Sequence, residues 1–378
     1  MNDARRSRRG KARSSVLDGL LSLALTLTLL LSLALATILS RPVSAHEEYV
    51  VDEEHDVSAL EFLVDGLTDP VVVGPLALGA LVVTLAMVAY LRVNPVPNDV
   101  AAFRTAMREY TEFVPWLLRI SFGIPLVGAG FAGYFISPSV AVDARLLQVA
   151  LGFLLLFGLA TRLVALVTLA AYLVGLVVWP TLLLQFEFVG GLLAIALVGS
   201  GRPSADHVLQ RVAGGPGTEY GRIDRVHDVA QVFQSRIDPY VVYAPTIARV
   251  GLGLTFITLG VGQKLLRPGI ALAVVDRYDL TSVVPVPAEL WVFGAGFTEA
   301  ALGLALVVGL FTRASAAVAI AMFSLTLFAL PDDPVLAHVS LFGMASLLLI
   351  TGAGPYAVDN RLQAVESKLE DAVTSTAG

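Results

Sequence analysis

Apolar residues in this chain gather into long unbroken runs, and polar residues are confined to the stretches between them. A run from Val16 to Leu39 comes first, and nine more follow at roughly 71–91, 115–136, 143–160, 163–180, 183–199, 246–264, 288–309, 314–330 and 335–353. Runs of this kind predict transmembrane helices, since about 20 apolar residues cross a ~30 Å hydrocarbon core and shorter ones need tilt or a thinned bilayer. Hydrophobic residues make up 56% of the chain and charged residues 15%, with a mean hydropathy of +0.77. A soluble domain cannot bury that much apolar surface. The expected fold class is therefore an all-α integral membrane protein in contact with the lipid bilayer.

The runs also repeat. Gln148 to Arg162 reads QVALGFLLLFGLATR, and Glu299 to Arg313 reads EAALGLALVVGLFTR. Arg119 opens a run containing Gly123 and Gly130, as Arg249 opens one containing Gly253 and Gly260, and the stretch Gly190 to Asp206 matches Gly343 to Asp359. Three matches in one order predict a duplicated unit of roughly a hundred residues. With four runs in each copy, both copies share one orientation, which makes them parallel repeats. The predicted layout is a signal peptide or uncleaved anchor over 1–45, an acidic exterior segment over 46–69 and one extra N-terminal span over 70–92. Repeat one with an interfacial helix covers 93–200, a cytoplasmic linker 201–245, repeat two 246–356 and a cytoplasmic tail 357–378. Leu265 to Pro287 is extra to repeat two, and its stretch Ile270 to Tyr278 is expected to lie along the membrane interface.

Charge orients this layout. Arg5, Arg6, Arg8, Arg9, Lys11 and Arg13 precede the first run, and Val43-Ser44-Ala45 follows it, the pattern of a signal peptide. Threading from an outside His46 puts fourteen basic residues on the inner side and four (Arg145, Lys264, Arg267, Arg277) on the outer side. That bias predicts a multi-pass protein of the cell membrane with a cytoplasmic C-terminus. The absence of cysteine excludes disulfides, thiol chemistry and iron–sulfur clusters. The net charge of −6 with only three lysines suits a halophile or a GC-rich genome, and no nucleic-acid partner is expected. Nine acids lie between His46 and Asp69 without metal-ligand spacing, so they read as a solvated run and no metal is expected.

Few ionisable residues fall at membrane depth, where each costs at least ~2.5–3.5 kcal/mol. Glu299 lies near the middle of its run, so it must be protonated, paired or facing a wet cavity. Laying the repeats on each other sets Glu299 on Gln148, Lys264 on Tyr134 and His338 on Gln185. Repeat two thus has an acid, a base and an imidazole where repeat one is neutral. Depth allows all three to line one outward cavity, with Leu265–Pro287 as its lid and Asp332-Asp333 at its rim. There Lys264, Glu299 and His338 are the candidate substrate-binding residues, with Glu299 and His338 as proton carriers. The rival readings stay open: a snorkelling Lys264, and structural hydrogen bonds for Glu299 and His338. Arg119, Arg249, Arg162 and Arg313 occur in both copies and read as structural. One embedded histidine cannot supply both axial ligands, so haem b is not expected.

Repeat two resembles the DoxX/DoxD family of small membrane proteins. The matching features are Arg249 with its glycine-rich run into Lys264, Glu299 followed by Gly303, Gly309 and Thr312-Arg313, then His338 and the Gly352-Ala-Gly354 exit before Asp359. The family is similar to the four-helix DoxD subunit of thiosulfate:quinone oxidoreductase. The resemblance implies a four-helix bundle, a quinone-linked redox role and a redox partner protein. Two other classes remain in view. A small-solute or proton-coupled transporter would show gradient-driven uptake that Glu299→Gln abolishes, and a non-catalytic anchor would tolerate loss of all three groups. Oligomeric state has no signature in the sequence.

Overall fold

The computed structural model describes residues 55–93, 95–218 and 226–362; the expected signal peptide lies outside them, and so do most of the tail and the first part of the acidic segment. Among the described residues the chain is helical, with no strand. Helices α1 (Ala59–Thr68), α2 (Pro70–Val93) and α3 (Pro97–Glu109) lead into a first set of four. These are α4 (Val114–Ala132), α5 (Arg145–Phe157), α6 (Thr161–Val178) and α7 (Glu187–Val198). Then come α8 (Ala205–Ala213), α9 (Val226–Ile237) and α10 (Ala244–Ile257), which continues as a π-helix over Thr258–Leu265. An insert carries α11 (Pro268–Arg277) and α12 (Leu280–Val283). The second set closes with α13 (Ala288–Val308), α14 (Thr312–Ala329) and α15 (Val335–Thr351).

Six helical runs are long and apolar enough to cross a bilayer: Pro70–Val93, Pro97–Ala132, Thr161–Val178, Val232–Leu265, Ala288–Val308 and Thr312–Ala329. α5, α7 and α15 are shorter apolar helices. The protein is an all-α, multi-pass membrane protein. Its hydrophobic residues face outward over much of the surface, as lipid contact allows; α2, for example, buries only Val72.

The two sets are built alike. α4 packs on α5 as α10 packs on α13, and α6 packs on α7 as α14 packs on α15. α5 ends at Gly158 and α13 at Gly309, both left-handed (φ 67° and 71°), where a side chain would be strained. The turn that follows is closed by a carboxylate. Asp206 accepts from the N–H groups of Ala160 and Thr161 at 2.6 and 3.0 Å, and Asp359 from those of Phe311 and Thr312 at 2.6 and 2.8 Å. Each capping side chain fills free donors at the start of a helix.

The four repeated arginines serve the opposite helix ends. Arg162 donates to the Leu197 carbonyl of α7, and Arg313 to the Leu349 and Ile350 carbonyls of α15. Arg119, 1% exposed, donates to Leu156 and Pro203; Arg249, 2% exposed, donates to Leu306, Val307, Ala353 and Tyr356. A guanidinium fork suits this work because it offers several donors in one plane.

The sets meet along a seam where α7 lies on α10 and α15 lies on α4. Small residues allow the approach: a Cβ on Gly190 would come within 2.9 Å of Gly251 Cα, and one on Gly343 within 2.0 Å of Ser121 Oγ.

The insert packs into the protein: Pro268 to Val275 of α11 are buried against α13, the π-helix and α1. The stretch Ile270 to Val275 is apolar all round, so it is covered by protein on every side. α1 helps to cover it, with Phe62 stacked on Phe293 at 4.7 Å while Glu61 and Asp65 stay exposed.

Candidate functional site

α10 and α13 cross closely because glycine faces glycine. A Cβ on Gly303 would stand 2.5 Å from the Gly253 carbonyl oxygen, and one on Gly260 equally close to that of Gly296. Beyond the crossing the π-helix widens the turn that carries Lys264. π-Turns of this kind recur at functional sites. Lys264 Nζ then lies 3.0 Å from Glu299 Oε2, with the two side chains 18% and 15% exposed. Glu299 is about 16 Å along α13 at ~1.5 Å per residue. The depth that made it conspicuous in the sequence is therefore matched by a partner.

His338 occupies the first turn of α15, where its ring Nδ1 is 3.3 Å from the Pro334 carbonyl and its Nε2 is 3.6 Å from Asp333 Oδ2. Asp333 is more than a rim residue. Its side chain is 10% exposed, and its Oδ1 is buried without a hydrogen-bond partner. Burial raises its carboxyl above the ordinary aspartate value, while the charges of His338 and Lys264 pull the other way. Asp333 therefore lies within electrostatic reach of both the imidazole and the ammonium. The sequence placed Lys264, Glu299 and His338 at one end of the bundle; the structure pairs the first two and links the third to them through Asp333.

Asp332 points outward instead. Its Oδ2 accepts from Arg277 at 3.1 Å and from the Tyr278 hydroxyl at 3.0 Å, tying the insert to the α14–α15 loop. These bonds hold the Asp332 carboxyl below its usual range, with Tyr278 the larger cause. A carboxyl lowered on folding contributes stability above its unfolded value and loses it as pH falls through the folded one. Acid below about pH 4, the ordinary aspartate value, should therefore release the insert locally, and Asp332→Asn should release it at neutral pH. The expected readout is faster amide hydrogen exchange over 268–278 with the rest of the bundle unchanged, since an exposed pair contributes little globally.

One buried carboxylate escaped the sequence reading. Glu187 opens α7, in the first set, and is 1% exposed. Its oxygens accept from Thr255 at 3.2 Å and Ser340 at 3.1 Å, across the seam. Glu187 lies outside the three positions at which the sequence sets neutral residues of the first set against Lys264, Glu299 and His338. A lone acid within the run 183–199 was the signal that could have found it.

Residues 244–332 match the family model described as DoxX. Over that stretch the chain forms a DoxX-like domain. That domain takes in Lys264, Glu299, Thr312-Arg313 and Asp332, while Asp333 and His338 follow its last matched residue. No curated protein and no solved structure matches the chain.

Proposed function

We propose that this DoxX-like protein is the membrane subunit of a quinone-linked oxidoreductase, with Lys264, Glu299 and His338 at its substrate site. The observation that carries the reading is the 3.0 Å Lys264–Glu299 pair, nearly buried and continued by Asp333 and His338. Reduction of a quinone takes two electrons, supplied in this reading by a partner redox protein, and two protons delivered to its carbonyl oxygens. The chain's own groups suit that task. Lys264 can donate a hydrogen bond to a carbonyl oxygen, and Glu299 can hold and pass a proton at Oε2. His338 with Asp333 can resupply that proton from the loop end of the bundle.

The same reading takes the two helix sets as a duplicated unit, parallel in the membrane, with the Lys264 end facing outside. What supports it is the repeated pairing of helices, the Asp206 and Asp359 caps and the matched arginines. The charge bias of the sequence supports the orientation. In this scheme 1–45 is removed or retained as an anchor, and the protein resides in the cell membrane.

Gentle-detergent purification from native membranes tests the proposal. A quinone and a redox protein should co-purify with the wild type, and Glu299→Gln should lose the quinone while keeping the protein partner. Purification with neither would overturn the reading.

A further inference from the structure

A second polar site lies on the seam, in a pocket that neither Lys264 nor Glu299 lines. Between α4, the 3₁₀ segment Pro180–Gln185 and the first turn of α15 there is a narrow pocket, about 280 Å³ including its mouth. The half-buried Tyr134 stands among its lining residues, and Phe188 and Leu336 supply apolar wall. Two buried polar residues also line it: Gln185, 4% exposed, and Ser340, 1% exposed. Both amide atoms of Gln185 lack any hydrogen-bond partner. Buried amides are almost always satisfied, and two orphan atoms bordering one pocket point to a small polar occupant. The enclosed part has room for the centre of about one water molecule, ≈ 10 Å³. A water also needs two to four polar partners, and the Gln185 amide with the Ser340 hydroxyl provides them.

Ser340 connects this pocket to Glu187, whose Oε1 accepts its hydroxyl. The other bond to the carboxylate comes from Thr255 of α10. Tyr172 of α6 is the titratable neighbour on which the Glu187 charge acts, and its hydroxyl is committed to the Leu182 carbonyl at 2.7 Å. From α15 the nearest titratable group in sequence is His338, held to Asp333. From α4 the pocket receives Pro125, and Tyr134 lies beyond the helix end. Among the described residues no cation pairs with Glu187.

We propose that the seam pocket holds ordered water bonded to Gln185 and Ser340, and that this water makes Glu187 a proton-exchanging site. In the uptake step a protonated water gives its proton to Ser340 Oγ as the Ser340 hydroxyl proton passes to Glu187 Oε1. Water, a neutral serine and a neutral carboxyl result; release is the reverse. The relay is independent of the quinone reading.

Infrared spectroscopy of the full chain in lipid vesicles tests it, with Glu187→Gln assigning the band. The wild type should show a carboxylic C=O band that Glu187→Gln lacks, shifting promptly when the buffer is changed to D₂O. Gln185→Leu removes both amide partners of the water and should slow that shift severalfold. Ser340→Ala should do the same, and it decides the matter if Gln185→Leu fails to fold. Absence of a band specific to Glu187, or a shift equally fast in the folded variants, would overturn the proposal.

Discussion

Replacing Arg249 with leucine is expected to abolish accumulation of the folded protein. The guanidinium is buried and donates to four carbonyls, those of Leu306, Val307, Ala353 and Tyr356. Each carbonyl left buried without a donor costs about 1–3 kcal/mol. Leu306 keeps the Gly309 N–H as a second donor; the other three together reach into the ~5–15 kcal/mol that separates a folded chain from an unfolded one. Arg249→Lys should retain part of the yield, because an ammonium can satisfy some of these oxygens but cannot span the fork. Arg119→Leu should be milder than Arg249→Leu, since Arg119 reaches two carbonyls and keeps its Nε unpartnered. Size-exclusion profiles of detergent-solubilised membranes measure this directly. Equal monodisperse peaks for Arg249→Leu and wild type would contradict it.

The second large effect is expected at the ion pair. Lys264→Met strands the Glu299 carboxylate in a nearly buried position, and breaking such a pair from one side costs on the order of 3 kcal/mol. Lys264→Met with Glu299→Gln removes both charges and should recover most of the loss. A titration of unfolding in mixed detergent, run on both variants and on Glu299→Gln, gives the coupling between the two residues. If the double variant is as unstable as Lys264→Met, the two residues do not stabilise each other. The comparison also separates folding from function: the double variant should be stable and inactive.

Much of this was legible in the sequence for a physical reason. Bilayer helices cannot leave backbone groups unsatisfied, so the residues that close their ends carry a fixed pattern. Thr161-Arg162 and Thr312-Arg313, with Gly158 and Gly309 before them, marked two equivalent turns. The distant Asp206 and Asp359 proved to cap them. Glu299 and Lys264 were legible because charge at that depth is costly. Glu187 was missed because laying the repeats on each other compares positions, and its partner is a hydroxyl at the matching position, Ser340, rather than a charge. The burial of α11 was hidden because its cover comes from α1 and α13, far apart in the chain. Asp333 looked like a rim residue because Asp332 beside it is one; only the turn of the loop sends one outward and one inward.

The central claim is that Glu299 and Lys264 form a substrate site and are more than a structural tie. Titrating a short-chain quinone into the purified wild type, Glu299→Gln and the stable double variant tests it most directly. Saturable binding by the wild type is expected, weakened at least about tenfold, or ~1.4 kcal/mol, in both variants. Binding of equal strength in all three proteins, or none in any, would contradict the account.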